Sequence, residues 1–171
     1  MPANIEVKAH VLNRDALIEP AQQLAGAEGI DIEQDDTFFR CAAGRLKLRT
    51  FSAEHGQLIF YQRPDAAGPS ASFYTATVTT DPDGLRQALT LAYGTAGRVR
   101  KHRVLVVAGR TRIHLDRVEG LGDFVELEVA IDDPADARAA ATETEEIMSA
   151  LGIEPAQLVP TAYVDLINVA R

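Results

Sequence analysis

The chain has 171 residues, and 25 acidic against 17 Lys and Arg side chains give it a formal charge of −8. That length suits one domain able to bury roughly two-thirds of its unfolded surface, and the charge opposes non-specific nucleic-acid binding. The single Cys41 offers no disulfide, no apolar run approaches a membrane span, and the N-terminus lacks a signal-peptide core, so a soluble cytoplasmic protein using neither membrane nor nucleic acid is expected.

The first predicted element is a strand from Asn4 to Val11. Alternation sets Ile5, Val7, Ala9 and Val11 on one face and Asn4, Glu6, Lys8 and His10 on the other. Arg14 to Ala25 reads as a helix capped by Asn13, with Pro20 kinking it or starting it late. Ile30 to Arg40 and Gly44 to Phe51 are further strands, and His55-Gly56 turns the chain into Gln57 to Arg63. Pro64 to Pro69 is a loop, and Ala71 to Thr80 is a strand rich in Thr and aromatics. Asp81-Pro82-Asp83 opens a helix to about Tyr93, closed by Gly94 and Gly97. Val99 to Val107, Thr111 to Val118 and Phe124 to Ile131 form a meander. Asp133-Pro134 opens a helix to about Leu151, a short helix covers Pro155 to Leu158, and Tyr163 to Val169 reads as a tail. The expectation is one α+β domain over residues 1–171. Eight mostly antiparallel strands close into a barrel over about residues 4–131, with peripheral helices and a C-terminal helical segment over 134–171.

The charged face of the first strand recurs. Arg45, Lys47 and Arg49 lie opposite Leu46 and Leu48; Arg110, Arg112, His114 and Asp116 lie opposite Thr111, Ile113 and Leu115; Glu126 and Glu128 lie opposite Val125, Leu127 and Val129. A closed sheet can hold all these charged rows in its lumen and pack the apolar rows outward against helices. The candidate lumen cations are Lys8, Lys47, Arg49, Arg63, Lys101, Arg103 and Arg112, and the candidate lumen acids are Glu6, Asp116, Glu126 and Glu128. Internal pairing leaves cations in excess, and a bound polyanion neutralises them. The carboxylates repel phosphate directly, so a cation belongs between them, and Mg²⁺ or Mn²⁺ suits oxygen ligands. The rival reading is a tunnel of internal salt bridges with no ligand.

Ile5-Glu6-Val7-Lys8 resembles the N-terminal ExExK motif of the CYTH proteins, the triphosphate tunnel metalloenzymes. The resemblance continues through Asp35-Asp36-Thr37-Phe38-Phe39, Gly44 to Arg49, Phe60 to Pro64, Lys101-His102-Arg103, Thr111 to Asp116, Val118 to Gly122 and Glu126 to Val129. It implies an eight-stranded antiparallel tunnel, a divalent metal and a triphosphate-bearing substrate. The family includes class IV adenylyl cyclases, thiamine triphosphatases and inorganic triphosphatases, and the run from Arg112 to Glu128 looks most like the cyclase branch. By this resemblance Glu6, Glu126 and Glu128 hold Mg²⁺ or Mn²⁺. Lys8, Lys47, Arg49, Arg63, Lys101, Arg103 and Arg112 bind the triphosphate. Glu6, Lys8, Arg112 and Asp116 serve catalysis, with Asp116 holding a second metal or orienting a basic neighbour. The implied substrate is ATP, converted to cyclic AMP and pyrophosphate, or another triphosphate compound cleaved by a triphosphatase. A non-enzymatic nucleotide- or polyphosphate-binding module is the remaining alternative, and a homodimer is expected on general grounds.

Two positions depart from the family pattern. Asn4 stands where the motif has its first acid, and an amide binds a hard cation less strongly than a carboxylate. Ser70-Ala71-Ser72-Phe73-Tyr74 carries no charge where relatives often have one, which bears on nucleotide positioning. Other residues have plainer expected roles. Arg45 is solvated, Lys47 and Arg49 have no acid between them, and His114 is a hydrogen-bonded structural residue with general base as its alternative. Cys41 is a core thiol, and Glu143, Glu145 and Glu146 form a solvated helix face. His10, His55 and His102 show no ligand spacing.

Overall fold

Alternating apolar and charged faces are satisfied when a sheet curls up, and in this computed structural model, which describes residues 3–170, eight strands do so. They are β1 (Ala3–Val11), β2 (Ile30–Phe39), β3 (Arg45–Ser52), β4 (His55–Gln62), β5 (Ser70–Thr79), β6 (Thr95–Ala108), β7 (Thr111–Val118) and β8 (Gly122–Ile131). Their order around the barrel is β1-β5-β4-β3-β2-β6-β7-β8, and every pairing is antiparallel. β1 closes the circle between β5 and β8, so Asn4 faces both Ser72 and Ala130.

The outward apolar rows of β1, β6, β7 and β8 form the main core with two helices, α1 (Ile18–Ala25) and α3 (Ala137–Ala150). Val7, Val104, Leu115 and Leu127 pack there with Ala21, Ile147 and Met148. A 3₁₀ turn over Arg14–Leu17 precedes α1, and the Asn13 side chain accepts from the Asp15 amide at 3.1 Å. Pro20 therefore falls in the first turn of α1, where a missing N–H leaves no helical bond unmade. Arg14 is buried and donates to the carbonyls of His102 (2.8 Å) and Leu115 (2.9 Å), pinning this turn to β6 and β7.

Helix α2 (Pro82–Tyr93) is capped by the Asp81 side chain, which accepts from the Gly84 amide at 2.9 Å. It ends at Gly94, and β6 starts at Thr95, so Gly97 belongs to the strand and not to the helix terminus. The segment expected as a tail is helix α4 (Tyr163–Ala170). Its Tyr163 and Val164 pack with Phe38, Val99, Val118 and Phe124 and close one end of the barrel. An added Cβ at Gly97 would lie 2.6 Å from Val164 Cγ2, so this glycine permits the close approach of α4. The segment is too short to announce a helix by periodicity, and the barrel end supplies its apolar partner.

Three smaller expectations are corrected. Arg110 sits in the β6–β7 turn and donates to Glu143 at 2.9 Å, outside the barrel, and the Thr111 hydroxyl donates to the same carboxylate. Glu143 is thus a latch between α3 and the sheet, while Glu145 and Glu146 are exposed as expected. Cys41 is half-buried beyond the end of β2 and is no part of the core. No helix among the described residues is long and apolar enough to cross a membrane.

Candidate functional site

The inward faces of all eight strands enclose a cavity of about 340 Å³. Its walls carry eight cations, Lys8, Arg45, Lys47, Arg49, Arg63, Lys101, Arg103 and Arg112, against five carboxylates, Glu6, Asp36, Asp65, Glu126 and Glu128. All seven sequence-predicted cations are there, and so is the expected excess of positive charge. Asp116 is absent from the lining.

Asp116 lies behind the wall with no exposed surface. Its oxygens accept from Lys101 Nζ (3.1 Å), Arg103 Nε (2.6 Å), Arg103 Nη2 (2.7 Å) and the Tyr163 hydroxyl (3.1 Å). Burial alone would raise this carboxyl, but Arg103 and Lys101 outweigh it and hold the group well below the usual range. With its acceptor sites filled from within, Asp116 orients two basic neighbours and presents no free oxygen to the lumen.

Asp36 corrects the reading of Lys47 and Arg49 as cations without an acid. The β2–β3 register sets Asp36 opposite Arg49, and the carboxylate accepts from Lys47 Nζ at 2.9 Å and Arg49 Nε at 2.7 Å. Burial opposes its ionisation, yet Arg49 and Lys47 hold its pKa far down. Arg45 is likewise not free in solvent: its Nη2 donates to Asp165 of α4 at 2.5 Å and lies 3.7 Å from Asp65. Tyr163 completes this end of the tunnel, its ring centroid 4.0 Å from Lys8 Nζ and 4.8 Å from Lys101 Nζ. Lys8 Nζ also donates to the Thr161 carbonyl at 3.3 Å. No local pattern marks Tyr163 for the lumen; its place follows from α4 folding over the barrel end.

Across the lumen, register gathers the remaining acids. Glu6 is opposite Glu128, and Lys8 and His114 flank Glu126 from the two neighbouring strands. Lys8 lies 3.7 Å from Glu126, Arg112 2.7 Å from Glu128 and Arg63 3.6 Å from Glu6. His114 Nδ1 is 4.0 Å from Glu126 Oε1, and Nε2 is 3.9 Å from Glu128 Oε2. Burial, then Glu128 and Glu126, push the Glu6 carboxyl up to about 7 against the pull of Arg63. Burial, then Arg103, push the His114 imidazole down to about 4, so it is neutral at neutral pH. Its Nδ1 is buried with no hydrogen-bond partner among the described residues, contrary to the expected hydrogen-bonded structural role.

These groups meet the requirements of a divalent-cation site. Ligand atoms of His114, Glu126 and Glu128 all lie within 4.8 Å of one another. Two carboxylates and a neutral imidazole suit Mn²⁺ well and Mg²⁺ through its oxygen ligands. Glu6 lines the same cavity, as does the Asn4 amide. His114 escaped the sequence-based ligand set because its partners lie on the next strand, and no HxxH-type spacing advertises it.

Comparison with known proteins agrees with the barrel fold. The CYTH domain matches residues 2–163. An adenylate cyclase CyaB from Aeromonas hydrophila is 32% identical over 141 residues, spanning 78% of this chain and 71% of that protein. A solved structure of a Pyrococcus horikoshii protein superposes with a TM-score of 0.81 at 23% identity, over 95% of this chain and 98% of that one. A Hippeastrum protein, described as a candidate adenylyl cyclase with a dominant triphosphatase activity, superposes with a TM-score of 0.64 at 15% identity, over 100% and 97% of the two chains. The two structural likenesses extend to the fold, and the sequence match reaches further: this chain belongs to the CYTH domain family.

Proposed function

We propose that the tunnel is the active site of a divalent-metal-dependent enzyme that converts ATP to cyclic AMP and pyrophosphate. The observation that carries this reading is the division of one lumen into a cationic wall and an acidic cluster completed by a neutral imidazole. A polyanion satisfies the first, and a cation bridging it to the second removes the repulsion between carboxylates and phosphate. The 32% identical relative described as an adenylate cyclase favours attack at the α-phosphorus.

The roles divide by position. Lys47, Arg49, Arg63, Lys101 and Arg103 hold phosphate oxygens from several strands, and Asp36 and Asp116 aim four of these five. Glu126, Glu128 and His114, with Glu6 beside them, hold Mg²⁺ or Mn²⁺. When bound, the metal supplies Lewis-acid polarisation of the phosphate oxygens. Lys8 and Arg112 each line the lumen beside a carboxylate, where they stabilise charge developing on the transferred phosphorus and its leaving group. A triphosphatase releasing orthophosphate is the second reading, favoured by the Hippeastrum protein of the same fold. A binding module without turnover is the third, favoured by Asn4 in place of an acid.

Product analysis separates them. Incubation with ATP and Mn²⁺ is expected to yield cyclic AMP and pyrophosphate. Orthophosphate from both ATP and tripolyphosphate selects the second reading, and intact substrate selects the third. The phosphate-binding assignment has its own check. Arg49→Ala is expected to weaken tripolyphosphate binding by at least ~1.5 kcal/mol, the loss of a charge-assisted hydrogen bond. Lys47 remains to pair Asp36 in that variant. Unchanged calorimetric affinity in the folded variant removes Arg49 from the site.

A further inference from the structure

The seam where the barrel closes leaves a strand edge open. β1 pairs with β5 only from Ala3 to Glu6, opposite Phe73 to Ser70. β5 runs on to Thr79, and β4 stays paired with it from Phe73 to Thr79 without a bulge. On the side away from β4, Tyr74 to Thr79 meet no strand among the described residues, and no backbone hydrogen bond from a loop or helix reaches them. Thr75, Ala76, Thr77 and Val78 are exposed. A row of unpaired N–H and C=O groups on a regular strand is a template for another strand.

Natural sheets blunt such an edge with Lys, Pro or a bulge. This edge has none of them. Ser70 to Thr80 holds no charged residue and no proline, although 25% of the chain is charged. The edge sequence is also close to symmetric: Thr75-Ala76-Thr77-Val78-Thr79 reads almost the same in both directions. Tyr74 and Ala76 line the cavity, so alternation turns Thr75, Thr77 and Thr79 outward. Two copies laid antiparallel about a two-fold axis at Thr77 set Thr75 against Thr79, and Thr77 against its own mate, on the outer face. On the other face they set Ala76 against Val78. Thr–Thr pairs are favourable cross-strand neighbours. Charge selects the same occupant. A formal charge of −8 makes two copies repel one another, and along this strand they meet with no like-charge pair.

We propose that the free edge of β5 is the interface of a homodimer, in which two edges pair antiparallel about Thr77 and join the barrels through one continuous sheet. The contact is isologous and closed, because each edge is used up by its mate. It also sets the second copy beside the tunnel, since Ala76 is both a lining residue and an edge residue.

The test is sedimentation equilibrium of the full chain over a wide concentration range, on the wild type, Thr77→Lys and Thr77→Glu. Thr77 is exposed, so at dilutions where the wild type is monomeric all three should melt together. The wild type is expected to reach a dimer and go no further. Either variant alone puts like charges opposite one another on the axis and should weaken the dimer at least about tenfold. An equal mixture of the two variants puts Lys opposite Glu and should restore affinity to within about threefold of the wild type. A wild type that stays monomeric up to about 1 mM overturns the proposal. So does a dimer that neither variant weakens, which places the interface elsewhere. Weakening that the mixture does not rescue removes Thr77 from the axis, and growth beyond the dimer contradicts a closed edge.

Discussion

Replacing Glu126 with Gln should lower turnover by at least about a thousandfold, the effect of losing roughly 4 kcal/mol of charge stabilisation. Gln keeps the shape of the side chain and removes its charge. Glu126 is buried between Lys8 at 3.7 Å and His114 Nδ1 at 4.0 Å, so two different consequences are in competition. If the carboxylate holds a cation, its loss weakens tripolyphosphate binding in Mg²⁺ and leaves binding in chelator intact. If it is only a counter-ion to Lys8, its loss makes the lumen more positive and strengthens anion binding in both media. The sign of the change decides between them. Tighter binding by the variant under both conditions would sink the metal assignment and turn the protein from an enzyme into a polyphosphate-binding module.

Asp116→Ala is the largest expected stability effect. It leaves Lys101 and Arg103 buried, at 7% and 5% exposure, without their common carboxylate. Breaking a buried ion pair from one side costs about 3–5 kcal/mol. Urea denaturation of the variant should show that loss, and saturating tripolyphosphate should restore part of it by supplying the missing negative charge. A loss below about 1 kcal/mol would show that the two cations do not depend on Asp116. The same pairing sets the acid limit of the fold. Asp116 and Asp36 are held below their unfolded value of about 3.9, so each contributes stability that is fully present above that pH. That contribution is lost as pH falls below about 4 towards the folded values. The protein should therefore lose stability on acidification through this range, measured by the urea midpoint at successive pH values.

The barrel was legible because two patterns coincide on the same strands. Period-2 alternation gave the outward apolar row, as in Ile113 and Leu115, and the inward charged row, as in Arg112 and His114. What alternation within a strand cannot show is who stands opposite. Asp36 belongs to a stretch that carries the family resemblance, but nothing within its strand names a partner, and only the β2–β3 register pairs it with Lys47 and Arg49. Asp116 shared a face with Arg112 and His114, but its position next to the closed end turned it away from the cavity and towards Tyr163. Arg110 failed for the opposite reason: the strand begins one residue later, and a residue in a turn has no lumen face. Helix α4 was beyond reach of any local rule, since its order depends on the cluster of Phe38, Val99, Val118 and Phe124 that it covers.

The central claim is that triphosphate and divalent metal occupy this lumen together. One calorimetric comparison tests it most directly: wild-type protein titrated with tripolyphosphate, once in Mn²⁺ and once in chelator. The predicted result is one equivalent bound per chain, at least about tenfold more tightly with metal, a coupling free energy of ordinary size between two adjoining sites. Equal affinity with and without Mn²⁺, or no binding in either medium, would contradict it.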